Sequence, residues 1–213
     1  MARRKPTAEA YGEFQKAYDF YNRRLFEGRL SQCLITFQRK NRAYGYFSGD
    51  RWKSGRAKTD EIALNPDFFP EGIEETLSTL VHEMVHLWQH HFGKPGRRGY
   101  HNREWAGMML ELGLHPSDTG KPGGKMTGDH MGEYRIKNGM FDVVTKELLS
   151  KGFKVSWQDQ AAIVTRGSSS VAVVTRPRNT RQKFTCKKCG LNAWAKPGAK
   201  LVCGECKKPL RAV

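Results

Sequence analysis

No stretch of this 213-residue chain approaches the ~18 consecutive apolar residues that a membrane-spanning helix requires. The basic opening segment MARRKPTAEA has no apolar run behind it, so the pattern of a secretory leader is missing too. The expectation is a cytoplasmic protein without a membrane partner. Cysteine is scarce: there are five, four of them close to the C-terminus, which argues against a disulfide-stapled scaffold. Acidic residues are also few, 21 against 37 Lys and Arg, and the formal net charge is +16. Apolar residues at 38% and aromatics at 11% still suffice for a core, so a wholly disordered chain is excluded.

The excess of cations is uneven. Up to Thr119 there are 18 basic and 15 acidic residues, and from Gly120 onward 19 and six. A half so basic, with no amphipathic basic helix, points to nucleic acid in preference to lipid. Residues 166–183 combine cations with Gly, Ser, Thr and Pro and read as a flexible basic linker around a short strand candidate at 171–174.

Periodicity places the remaining elements. Tyr11, Phe14, Tyr18, Tyr21 and Leu25 recur at three- and four-residue spacing, predicting a helix over 7–27. Short β-branched and aromatic runs predict strands at 34–38, 43–47 and 61–64. A long helix is expected over 71–92, apolar on nearly every side and hence buried. Further helices are expected at 102–112 and 140–151, with Leu114, His115 and Pro116 closing the compact portion. Cys33, alone in its segment, reads as a small buried hydrophobe on a strand.

The long helix carries H-E-x-x-H at His82, Glu83 and His86. Residues four apart share a helical face, so two imidazoles can reach one ion while the intervening Glu reaches a water beside it. Ionisable groups in an otherwise apolar helix would be costly to bury unless they bind a metal or pair with one another. A catalytic zinc requires a third protein ligand. His101, after a Gly-rich turn, is the first choice and Glu104 the alternative. His90 cannot join, because three ligands four apart on a straight helix spread over ~12 Å of axis; His90 and His91 read as a solvated helix end. Phe92 stands where a metzincin would need histidine.

Near the C-terminus, Cys186, Cys189, Cys203 and Cys206 form two C-x-x-C pairs separated by thirteen residues, slightly fewer than the ~15–20 of the usual zinc template but a loop that a β-hairpin spans, so they read as a structural zinc site. So short a segment needs the metal in order to fold. Lys183, Lys187, Lys188, Lys196 and Lys200 surround it as candidate phosphate contacts. Trp194 is suited either to stack on an unpaired base or to pack over the knuckle.

H-E-M-V-H-L-W at 82–88, His101 with Glu104 and Trp105, and the terminal four-cysteine ribbon together resemble the SprT-like metalloprotease family, which includes Spartan. The resemblance extends to the I-A-L-N segment and to L-F-E-G-R-L after the first helix. It covers about residues 8–115 and 183–210 and implies an α+β, zincin-like protease fold; together with the change of composition the chain divides into a protease domain over 1–119, a basic Gly/Ser-containing linker region with a short helix over 120–182 and a zinc ribbon over 183–213. The resemblance further implies His82, His86 and His101 as ligands of a catalytic zinc, Glu83 as the base, and a second, structural zinc on the four cysteines. The implied activity is cleavage of proteins bound or crosslinked to DNA, stimulated by DNA. The partners would be DNA bound without sequence preference, single-stranded DNA included, and the proteins on it, and the chain would be a nucleoid-associated monomer. The alternative is a non-proteolytic DNA-binding regulator or mobile-element accessory protein that uses the same fold without hydrolysis.

Overall fold

The computed structural model describes residues 5–41, 43–160, 162 and 181–212. The chain divides into two units, Met1–Gly167 and Ser168–Val213.

In the first unit the N-terminal apolar stripe forms α1, Pro6–Leu25, with Pro at its start, Glu9 in its first turn and Arg23 and Arg24 in its last, as the helix dipole favours. Phe14, Ala17, Tyr18, Tyr21 and Leu25 are buried. The helix ends where Gly28, at φ +73°, turns its N–H back to the Asn22 carbonyl at 2.8 Å.

A three-stranded sheet follows, built from β1 (Leu34–Phe37), β2 (Gly45–Ser54) and β3 (Ala57–Leu64) in the order β1-β3-β2. The central β3 runs parallel to β1 and antiparallel to β2. β2 and β3 are longer than the apolar runs predict. Their outer halves are polar, exposed and joined at Gly55, so backbone pairing holds them with no buried face to leave a mark in the sequence. The register of β2 slips between Ser48 and Trp52, a bulge centred on Asp50.

A 3-10 helix at Pro66–Glu71 leads into α2, Ile73–Phe92, which starts two residues later than the sequence suggests because Gly72, at φ +137°, is outside the helical region. Thr76 to Val85 of α2 are all buried, as a helix wrapped by other elements must be. β2, β3, α1, α3 (Arg103–Glu111) and α4 (Met140–Ser150) all pack against it. The Asn102 side chain caps α3 by accepting the Trp105 N–H at 3.0 Å.

Leu114–Ser117 is not a terminus of the packing but a strand, β4, paired antiparallel with β5, Gly132–Arg135. α4 then contributes Phe141, Val144 and Leu148 to the core shared with α1 and α2. The Tyr21 and Phe141 rings stack at 5.8 Å, and the Tyr21 and Thr145 hydroxyls bond at 2.8 Å. The change of texture near Ser117 therefore does not mark where core packing ends.

The second unit is a three-stranded sheet, ordered β7-β6-β8, from β6 (Gln182–Thr185), β7 (Asn192–Ala195) and β8 (Arg211–Ala212). Phe184, Cys186, Cys203 and Leu210 form its small core. The strand expected at 171–174 and most of the expected linker lie outside the described residues. No helix among the described residues is long and apolar enough to cross a membrane.

Candidate metal centre

α2 places His82 and His86 one turn apart on one face, and the hairpin to α3 brings His101 over them. The three imidazoles offer ring nitrogens that all lie within 4.8 Å of one another. His101 reaches this position because its backbone bridges Gly128, with its N–H on the Gly128 carbonyl at 2.8 Å. Trp105, fully buried on α3, packs its ring against all three histidines at centroid distances of 4.8, 5.4 and 4.4 Å.

The outer ring nitrogens fix how the inner ones face. His82 Nδ1 lies 2.9 Å from a Glu133 carboxylate oxygen, and His101 Nδ1 lies 3.1 Å from the Gly128 carbonyl. Both partners are acceptors, so both Nδ1 atoms donate and, in the neutral rings, each Nε2 keeps its lone pair. Those two Nε2 atoms are 3.3 Å apart. Two lone pairs at that distance repel unless a proton or a cation lies between them. Ligand atoms ~2.1 Å from a tetrahedral zinc lie about 3.4 Å apart, so the spacing suits that ion.

Burial, together with the His82 charge, drives His101 down to about 4, and the same causes with His101 added drive His86 well below its ordinary value. Both are therefore neutral, the form that binds metal. At His82 burial acts the same way, but the Glu133 carboxylate outweighs it and raises the pKa. Glu133 is held low by His82 despite its own burial.

Glu83 is 5% exposed and lies beneath β2. Burial pushes its carboxyl up to about 7, opposed by His82, helped by Glu133 and opposed again by Lys40 and by the Phe47 N–H, which donates to it from β2. The fit over this carboxylate is close. A Cβ on Gly45 would stand 3.0 Å from Glu83 Oε1 and 2.8 Å from the Ala63 carbonyl oxygen.

Glu104 is placed elsewhere. Its Oε2 accepts the Gln89 side-chain amide and the Lys94 N–H, both at 2.7 Å, and so closes the turn between α2 and α3. His90 and His91 are exposed, as expected, although His91 Nε2 meets Asp60 Oδ2 at 2.7 Å. Glu133 carries no signal in the sequence. It lies 51 residues beyond His82, on a strand that no apolar pattern announces.

In the second unit Cys186, Cys189, Cys203 and Cys206 bring their sulfurs within 4.8 Å of one another, with Cys189 and Cys203 at 3.6 Å. Sulfurs ~2.3 Å from a tetrahedral zinc lie about 3.8 Å apart, and four thiols are a zinc-type donor set. Backbone N–H groups of Cys189 and Lys188 pull the Cys186 thiol down, towards the ligating thiolate. Cys33, by contrast, is buried just before β1 and pushed up to about 12 by burial and by the Asp60 charge, so its thiol is inert. Lys183, Lys187, Lys188, Lys196 and Lys200 are all exposed. Trp194, opposite Lys183 across the strands, is 60% exposed and so does not pack over the knuckle.

The fold is mixed α+β with small sheets, the three histidines on and beside the H-E-x-x-H helix are a candidate metal-binding group, and the family that matches is metallopeptidase-like. The model of the SprT-like family matches residues 14–121, about half of the chain, and the chain belongs to that family. A Salmonella typhimurium protein described as "Uncharacterized protein in mucB 3'region" is 55% identical over 47 residues, 22% of this chain. The chain spans 64% of that relative's length.

Proposed function

We propose that the first unit is a zinc-dependent endopeptidase with a zincin-like fold, and that the ribbon directs it to proteins bound or crosslinked to DNA. The observation that carries the reading is the convergence of His82, His86 and His101, with the buried Glu83 carboxylate on the same helix. A structural site needs the three imidazoles but has no use for a carboxylate held beside them with its proton exchangeable near neutrality.

A zinc ion on these histidines would act as a Lewis acid toward a peptide carbonyl and acidify water. Glu83 does the proton work: its carboxylate takes a proton from the attacking water and delivers it to the departing amine. The Phe47 N–H holds one side of that carboxylate, and Gly45 leaves room for it. Glu133 fixes His82 through Nδ1 and the Gly128 carbonyl fixes His101, so the ligands are oriented before metal arrives.

Targeting rests on charge and on Trp194. Exposed lysines around the ribbon supply phosphate contacts, and the exposed indole beside Lys183 is a stacking surface for an unpaired base. Joining the two units raises the local concentration of any protein carried by the same DNA. The test is cleavage of a DNA-bound protein, with and without single-stranded DNA, by wild type and Glu83→Gln. Cleavage that depends on DNA and is lost in the variant, with its zinc content unchanged, is the expected result. No cleavage by a zinc-replete wild type would favour a non-proteolytic DNA-binding regulator.

A further inference from the structure

One turn beyond His86, α2 ends in His90 and His91, side chains for which the peptidase reading has no use. Both are exposed. Facing them is Asp60 of β3, whose side chain is only 6% exposed and sits at the edge of the apolar core beside Cys33. A carboxylate so placed is costly unless both oxygens are occupied. One oxygen accepts the Asp50 N–H at 2.8 Å. The other faces His91 Nε2 at 2.7 Å.

The backbone is shaped to make this arrangement. The β2 bulge puts Asp50 in the left-handed region at φ +51°, unusual for a residue with a side chain, and this turns its N–H onto Asp60. At the neighbouring Gly49, a Cβ would stand 2.7 Å from the His90 ring, so the strand accepts the imidazole only because no side chain is present. Backbone on β2 thus orients the carboxylate from β3 and leaves space for a ring from α2. Such outer contacts are what metal sites use to aim their ligands.

We propose that Asp60, His90 and His91 form a second metal site in the first unit, open to solvent, which takes zinc or a similar borderline divalent ion and clips the C-terminal end of α2 to the β2–β3 hairpin. The three donor atoms lie within 4.8 Å of one another. The 2.7 Å contact and that outer limit bracket the ~3.4 Å expected between ligands of a tetrahedral ion. Two imidazoles and one carboxylate are a zinc donor set, with the remaining positions left to water. A plain hydrogen bond between Asp60 and His91 would need neither His90 nor the space at Gly49. With two of its three ligands exposed and no thiolate, this site binds more weakly than the other two, and it fills after them.

The test is a metal count on the full chain dialysed against micromolar zinc. Wild type is expected to hold one zinc more than His90→Ala and one more than His91→Ala. His90→Ala removes an exposed side chain, whereas His91→Ala also leaves one oxygen of the buried Asp60 without its partner and costs some stability. Circular dichroism verifies that both variants are folded, and His90→Ala carries the comparison if His91→Ala is not. His130→Ala, which removes an exposed histidine outside the cluster, serves as the control and should match wild type. The proposal is overturned if either cluster variant binds as much zinc as wild type, or if the control binds as little as they do. The comparison is between variants at Asp60's partners, so it stands whether or not the chain cleaves peptides.

Discussion

At the residue scale, His82 is fixed from two directions, by α2 and by a carboxylate 51 residues away. The Glu133 contact aims Nε2 into the cluster and increases its basicity. Glu133→Gln is expected to weaken zinc binding at the histidine cluster by about 10- to 100-fold, the usual effect of removing such a partner. Competition with a chelator of known affinity measures it, and an unchanged affinity would make Glu133 a bystander. Gly45 is the second sensitive position. Gly45→Ala forces a methyl against Glu83 and the Ala63 carbonyl. If Glu83 is the base, as proposed, displacing it by a fraction of an ångström should lower turnover on the order of 10- to 100-fold while zinc content stays normal. His82, Glu83, His86 and the four cysteines are legible in the sequence because their spacing is itself the geometry, one helical turn in the first case and paired knuckles in the second. Glu133 and the Phe47 amide are not, because only tertiary pairing brings them to the site.

At the element scale, the helices are readable from the sequence and the strands only in part. α1, α2 and α3 follow their apolar periodicity to within two residues at every boundary, since each buries the stripe that announces it. The outer ends of β2 and β3, residues 50–54 and 57–59, bury nothing, and β4 and β5 are four residues each, too short to show a period. Periodicity announces α4 as a helix but not as part of the core, because the glycine-rich residues before it resemble the end of a domain. Its role can be measured. Phe141 is fully buried against Tyr21, so Phe141→Ala should cost about 3–5 kcal/mol, read from the urea midpoint of the first unit's transition. A cost below ~1 kcal/mol would show α4 to be dispensable.

At the scale of the whole molecule, one chain carries two units with different means of cohesion. The first has an extended apolar core. The second has four buried core residues, two of them cysteines, so a metal on the four cysteines would supply much of its folding energy. If the exposed lysines of the ribbon bind DNA, as proposed, that binding should fall steeply with salt. Replacing Lys183, Lys187 and Lys188 together by Ala should reduce the slope of log K against log salt by roughly 0.7 for each single-strand phosphate that is no longer neutralised. A slope that does not move would assign phosphate binding to other residues. β2 stands at the edge of its sheet, and among the described residues no strand pairs with its outer side. Its Phe47 amide already touches Glu83. On the proposed peptidase reading, an extended peptide laid along that edge would be held by its backbone, in register with Glu83, so the bond to be cut would be picked by distance along the main chain and almost any side chain could occupy the position.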